Sequence, residues 1–202
     1  MEQTSYAHGV STTPLLGETI GANLDRTVAT HGDRDALIAR HQGVRMTYTE
    51  LGEAVDRVAR GLMSLGLRTG DRMGIWAPNC FEWVLVQYAT AKAGIVLVNV
   101  NPAYRTTELE YVLNQSGAKV LIAARAFKTS DYAAMIDDVR SRCPQLERAI
   151  LLDGPDWNAL LEAGDGVPAE DLRDRSATLQ FDDPINIQYT SGTTGFPKGA
   201  TK

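Results

Sequence analysis

Ile95-Val96-Leu97-Val98, set between Gly94 and the polar loop that opens at Asn99, is an apolar run with no polar break. A strand with one wet face alternates polar and apolar positions. A strand covered on both faces has no need to alternate, so this run reads as the interior of a parallel sheet. Immediately upstream, Pro78-Asn79 caps a helix from about Cys80 to Ala93 that is apolar on most sides, and Arg72 to Trp76 precedes it as a strand. Downstream, Asn99 to Arg105 is a loop. Thr107 with Glu110 then forms a capping pattern for a helix carrying Leu109, Val112 and Leu113, which Gly117 stops. Lys119 to Ala123 is the next strand, followed by a helix from about Ser130 to Arg142, a break at Pro144 and a strand from Arg148 to Leu152. Alternation at these lengths requires right-handed crossovers. It predicts an α/β fold, a largely parallel sheet with helices on both faces.

The remaining segments flank this unit. Residues 1–14 read as a flexible N-terminus, and residues 15–152 as the α/β subdomain. Within it, Leu15 to Thr30 places Leu16, Ile20, Leu24 and Val28 at helical spacing, and His31-Gly32-Asp33 ends that helix. Ala36 to Arg40 and Val44 to Tyr48 read as a hairpin turning at Gln42-Gly43. A helix N-capped by Thr49 follows, with Leu51, Val55, Val58, Leu62 and Leu65 on one stripe, closed by Gly66. Residues 153–184 turn to Gly, Pro, Asp and Glu and read as an acidic connector, with only Trp157, Leu160 and Leu161 suggesting a short helix. Their carboxylates lack fixed ligand spacing, so a solvated face is expected rather than a cation site. Residues 185–202 read as a strand, Ile185 to Tyr189, leading into a glycine-rich loop.

Composition narrows the chemistry. The 202 residues carry a formal net charge of -5 with no lysine-rich or arginine-rich run, which argues against nucleic acid as a partner. Any anionic ligand must be held locally. Cys80 and Cys143 have no metal-ligand partners at useful spacing, and the histidines fall at solvated boundaries. Trp76 and Trp83 read as core aromatics. Met1 to Thr13 is polar and contains Glu2, unlike a signal peptide, and no window has the apolar length of a transmembrane segment. A cytoplasmic protein is expected.

Local ligand chemistry is concentrated in Gln188-Tyr189-Thr190-Ser191-Gly192-Thr193-Thr194-Gly195-Phe196-Pro197-Lys198-Gly199. The glycines let the backbone turn sharply and present successive N–H groups, the Thr and Ser residues add hydroxyl donors, and Lys198 adds an ammonium. Such a loop suits a polyphosphate at the carboxyl end of a strand. It is not a Walker P-loop, since Gly199 follows Lys198 where Ser or Thr would stand. Gly192 to Gly195 taken alone reads as a polar surface turn.

The longer string from Asp183-Pro184 to Lys198-Gly199 resembles the signature of the adenylate-forming superfamily, which includes acyl-CoA synthetases, peptide-synthetase adenylation domains and luciferases. Met46-Thr47-Tyr48-Thr49-Glu50-Leu51, Gly70-Asp71-Arg72 and Asn101-Pro102 are similar to its N-terminal region in order, so the resemblance spans most of residues 15 to 199. Asn101 to Arg105, with Ile187-Gln188-Tyr189-Thr190, looks most like medium- or long-chain fatty acyl-CoA synthetases. Asn101-Pro102 by itself reads as a turn.

The resemblance implies ATP, Mg2+ and coenzyme A as cofactors and co-substrate, and a fatty acid as substrate. A carboxylate and ATP give acyl-AMP and pyrophosphate, and coenzyme A then takes the acyl group. It implies that Thr190, Ser191, Gly192, Thr193, Thr194, Gly195 and Lys198 hold the β- and γ-phosphates. Catalytic and metal-ligating residues are not assigned. The family's adenine-contacting and ribose-contacting elements and its catalytic lysine have no counterpart before Lys202, nor does the Ser/Thr-His expected after Gly199. The chain is therefore expected to be the N-terminal part of an ATP-dependent fatty acid–CoA ligase, truncated and inactive alone. A charge-assisted hydrogen bond is worth about 1.5–3 kcal/mol and association costs roughly 4–15 kcal/mol, so the loop alone is expected to bind ATP weakly. The alternative is a non-enzymatic α/β remnant acting as an interaction module, with self-association through exposed core surface.

Overall fold

The computed structural model describes residues 12, 13, 15–190 and 197–202. In chain order the elements are α1 (Ile20–His31), β1 (Asp35–Ala39), β2 (Val44–Thr47), α2 (Tyr48–Ser64), β3 (Arg72–Trp76), α3 (Phe81–Ala93), β4 (Val96–Asn99), α4 (Thr106–Ser116) and β5 (Val120–Ala123). Then come β6 (Ala126–Phe127), β7 (Ser130–Asp131), α5 (Tyr132–Arg140), β8 (Arg148–Leu151), α6 (Pro155–Asp165), α7 (Ala169–Ala177), β9 (Asn186–Thr190) and β10 (Lys198–Thr201). The central sheet has six strands in the order β10-β9-β4-β3-β5-β8. Every pairing in it is parallel except β10 with β9, as the expected α/β class requires.

The two faces of the sheet follow from the period-two geometry of its strands. Met73, Ile75, Leu97, Val120, Ile122 and Ile150 point to one side and share a core with Val55, Val58, Leu62, Leu85 and Val86 of α2 and α3. Trp76, Val98, Leu121 and Ala123 point to the other side and meet Leu109, Val112 and Leu113 of α4 and Ile136 and Val139 of α5. Both faces are covered, which is why the central strands are apolar throughout. Gly94 and Gly117 end α3 and α4 at φ 67° and 65°, each donating its N–H back to the last turn.

Several boundaries differ from expectation. The first helix begins at Ile20, not Leu15, because the Thr19 hydroxyl accepts the Ala22 N–H, and Leu15 and Leu16 stay exposed. The cap of α2 is Thr47 rather than Thr49. Thr47 Oγ1 accepts from Glu50 N, and Glu50 Oε2 accepts from Thr47 N. On α4 the reciprocal carboxylate is Glu108, which accepts from Arg105 N, rather than Glu110 with Thr107. The small antiparallel pair β6–β7 delays α5 to Tyr132, where the Asp131 side chain caps it.

The largest difference lies in residues 153–184. The composition reads as a connector with one short helix, yet the stretch holds both α6 and α7, with Trp157, Leu160 and Leu172 buried. Few large apolar residues are needed, because small ones carry the contact. A Cβ on Gly164 would lie 2.4 Å from Arg57 O and 2.8 Å from Gly61 N, and one on Gly61 would lie 2.5 Å from Leu160 O. Helices α2 and α6 therefore cross backbone to backbone. Arg57 and Asp165 pair across the crossing at 2.6 Å.

Among the described residues, one charged side chain is buried in this layer. Lys92 of α3 is 4% exposed, and its Nζ lies 2.6 Å from Asp25 Oδ1 of α1 and also bonds Asp56 Oδ1 of α2. Burial pulls the ammonium's pKa down, but the two carboxylates outweigh it and hold it above the ordinary lysine value. Three helices are tied at one point.

Candidate functional site

Strands β3, β4, β5, β8 and β9 are parallel, so their carboxyl ends share one edge of the sheet, where ligands collect in open α/β folds. Strand β9 reaches that edge at Thr190. The chain returns antiparallel as β10, which puts Lys198 in register with Thr190, Gly199 with Tyr189 and Ala200 with Gln188. Both predicted residues at the ends of the loop are thus cross-strand neighbours at the carboxyl edge, and both are exposed. Ser191, Gly192, Thr193, Thr194 and Gly195, the other predicted site residues, lie outside the described residues.

The stem of this pair is aromatic on one side. A Cβ on Gly199 would stand 3.0 Å from Ile187 Cγ2 and 3.1 Å from Tyr189 Cζ, so the glycine leaves room for the Tyr189 ring. Ile187 and Tyr189 pack with Tyr104 and Tyr111 against the core beneath α4 and α5. Burial, with Tyr111 and Tyr104 adding to it, pushes the Tyr189 phenol up to about 12. Tyr104 is raised as well, by burial and by Glu108. These phenols are neutral donors and acceptors at physiological pH. The opposite face of β9 carries Asn186, Gln188 and Thr190, and Asn99 of β4 stands in register with Gln188.

Beside β9 the loop after β4 is held tightly. Asn101 forms the expected turn, its Oδ1 accepting from Ala103 N at 2.9 Å and its carbonyl from Tyr104 N at 3.0 Å. Trp76 Nε1 donates to the same carbonyl at 3.1 Å, and Tyr132 Oη donates to Pro102 O. Trp76 is a core residue, as its place in a strand implied, and so is its stacking partner Tyr132. The contribution of Tyr132, Tyr104 and Tyr111 was not legible in the sequence. The only signal was the apolar-polar alternation of β9, which put Ile187 and Tyr189 on one face.

Other candidates carry no chemistry of their own. The Cys80 thiol at the start of α3 is pushed up to about 11 by burial, so it is not a thiolate at neutral pH. Cys143 is buried and also raised. Among the described residues no group of three or more His, Cys, Asp or Glu can hold a metal ion, and no helix is long and apolar enough to cross a membrane. A cavity of about 550 Å³ lined by Ile20, Val96, Leu179, Phe181 and Ile185 lies at the amino ends of β4 and β9, away from Thr190.

The model of the AMP-binding enzyme family matches residues 24–201, from within α1 through β10. The chain belongs to the AMP-binding enzyme family. It is 43% identical over 220 residues to the mouse protein named medium-chain acyl-CoA ligase ACSF2, mitochondrial, covering 98% of this chain and 35% of that protein. The chain therefore spans about a third of the length of the curated relatives it matches. Among solved structures, it superposes on the N-terminal domain of FACL13 from Mycobacterium tuberculosis with a TM-score of 0.77 and 30% identity, covering 92% of this chain and 44% of that one. A long-chain-fatty-acid-CoA ligase from Archaeoglobus fulgidus gives a TM-score of 0.77 at 25% identity, with 98% and 39% covered. Within the family, the chain corresponds to the N-terminal portion of an acyl-CoA ligase.

Proposed function

We propose that the Thr190–Lys198 pair is the base of a site for the β- and γ-phosphates of ATP in an ATP-dependent fatty acid–CoA ligase, completed by Ser191, Gly192, Thr193, Thr194 and Gly195. The observation that carries this reading is the register of Lys198 with Thr190 at the carboxyl edge of the parallel sheet. It brings an exposed ammonium and an exposed hydroxyl to one place, and these suit the oxygens of a polyphosphate. ATP binding by that pair fits the donor set. Magnesium fits only as a passenger on the nucleotide's phosphates, since no carboxylate cage stands among the described residues. When bound, it would neutralise phosphate charge.

Coenzyme A as acyl acceptor and a fatty acid of medium or long chain as substrate complete the proposal, on the strength of the relatives' names. We place the protein in the cytoplasm, whereas the mouse relative is named mitochondrial, and cell fractionation decides between the two. Lys198→Ala tests the site. The variant is expected to lose the stabilisation that MgATP confers on the parent chain, and an undiminished shift would mean that ATP binds elsewhere. Turnover by the 202 residues alone is expected to be absent, and pyrophosphate release with ATP, magnesium and fatty acid measures it.

A further inference from the structure

Trp76 and Tyr132 are fully buried, come from β3 and the first turn of α5, and stack with ring centroids 3.6 Å apart at 11°. Packing alone would be served by two phenylalanines. These rings instead carry an N–H and an O–H, and both donate to consecutive carbonyls of one loop, Asn101 and Pro102. The Asn101 carbonyl that Trp76 clamps also closes the turn by accepting Tyr104 N, and Asn101 Oδ1 accepts Ala103 N within the same turn. Loops at sheet edges are ordinarily the least constrained backbone of an α/β domain. Here two donors from the core specify one.

The consequence reaches the phosphate stem. Tyr104, fixed by that turn, packs into the same cluster as Tyr111 and Tyr189. Tyr189 fills the space above Gly199 and directly precedes Thr190. We infer that Trp76 and Tyr132 are positioning residues for the phosphate site, holding Asn101, Pro102 and Tyr104 so that Tyr189 keeps the Thr190–Lys198 pair in place. The inference depends on the phosphate-site reading for its effect on ATP. It depends on the structure alone for its effect on the stem.

Tyr132→Phe tests it, because the ring and its stack remain and only the hydroxyl is lost. Ile136→Val, a methylene deletion one turn further along α5, provides a variant of similar stability loss without any bond to the loop. Hydrogen exchange in the 202-residue chain is expected to be about threefold faster or more at the Tyr189, Thr190 and Lys198 amides of Tyr132→Phe and unchanged there in Ile136→Val. The shift given by millimolar MgATP should correspond to roughly two- to tenfold weaker binding in Tyr132→Phe only, the loss expected of one hydrogen bond. Acceleration confined to α5 and Asn101–Arg105, or equal in the two variants, would overturn the inference. If the parent chain shows no MgATP shift, the phosphate-site reading fails, and the exchange comparison still decides the positioning role.

Discussion

The two sides of the central sheet are built by different rules. Strand β3 reads Arg72-Met73-Gly74-Ile75-Trp76 and β5 reads Val120-Leu121-Ile122-Ala123, buried at all but the first position of β3. Strand β9 reads Asn186-Ile187-Gln188-Tyr189-Thr190, packing only Ile187 and Tyr189, and β10 is exposed at each position. Helices cover both faces of the first pair, whereas the second pair meets the core only through Ile187 and Tyr189. The difference separates two duties. β3 and β5 hold the domain together, whereas β9 and β10 present polar groups at an edge and contribute little burial. Substitutions on the first side should act chiefly on stability, with Trp76 also reaching the stem through Asn101, and substitutions on the second should act on ligand binding.

Trp76→Ala should strain that division most. It removes the largest fully buried side chain and one half of the Tyr132 stack, and a loss of about 3–5 kcal/mol is expected in chemical denaturation. A loss near zero would mean that the buried side of the sheet does not carry the stability. Gly164→Ala comes next. The added methyl meets backbone atoms of α2 that cannot move aside independently, so about 1–3 kcal/mol should be lost as α2 and α6 separate. A neutral result would show that α2 and α6 can part at the crossing without cost.

Lys92 sharpens the comparison through pH. Its folded pKa is raised, so its contribution is fully present below the unfolded value of about 10.4 and is lost as pH rises through the folded value. Replacing Asp25 and Asp56 together by Asn leaves burial as the dominant influence and should cost about 1–3 kcal/mol. The folded pKa then falls below the unfolded one, so stability should rise with pH across that gap instead of falling beyond it. Denaturation at a series of pH values between about 8 and 11 measures the slope, and an unchanged sign would remove the carboxylates as its cause. The smallest stability effect is expected at Lys198→Ala, within about 0.5 kcal/mol, since its side chain is exposed on an edge strand. The same substitution should have the largest effect on MgATP binding.

Much of the scaffold was legible because its signals are local. Arg72–Trp76 begins and ends where the pattern placed it, and Gly94 and Gly117 stop their helices as glycine caps do. Helix α6 was legible only as a short helix on Trp157, Leu160 and Leu161, and α7 was not legible at all. Helix α6 meets α2 largely through Gly164, Gly61 and backbone oxygens, and α7 buries only Leu172, so neither carries a full hydrophobic period to count. For the site, the residue types of the loop were readable, as was its place after a strand. That Lys198 faces Thr190 was not, because it depends on the chain returning as β10 in one particular register. The tyrosine wall was hidden for a related reason. Tyr104, Tyr111, Tyr132 and Tyr189 belong to four different segments, and aromatic residues in a helix or strand look like core wherever they stand.

The sequence by itself determined the kinds of element, the α/β class and the family, because helical and strand periods, caps and a glycine-rich signature are properties of neighbours along the chain. Tertiary structure alone decided partnership: Lys198 beside Thr190, Lys92 between Asp25 and Asp56, Gly164 against Arg57, and Trp76 on Tyr132. Those meetings depend on strand order and on which face each crossover helix covers. A period along the chain says that a side chain has a buried side, and only the packed layers say what it meets there.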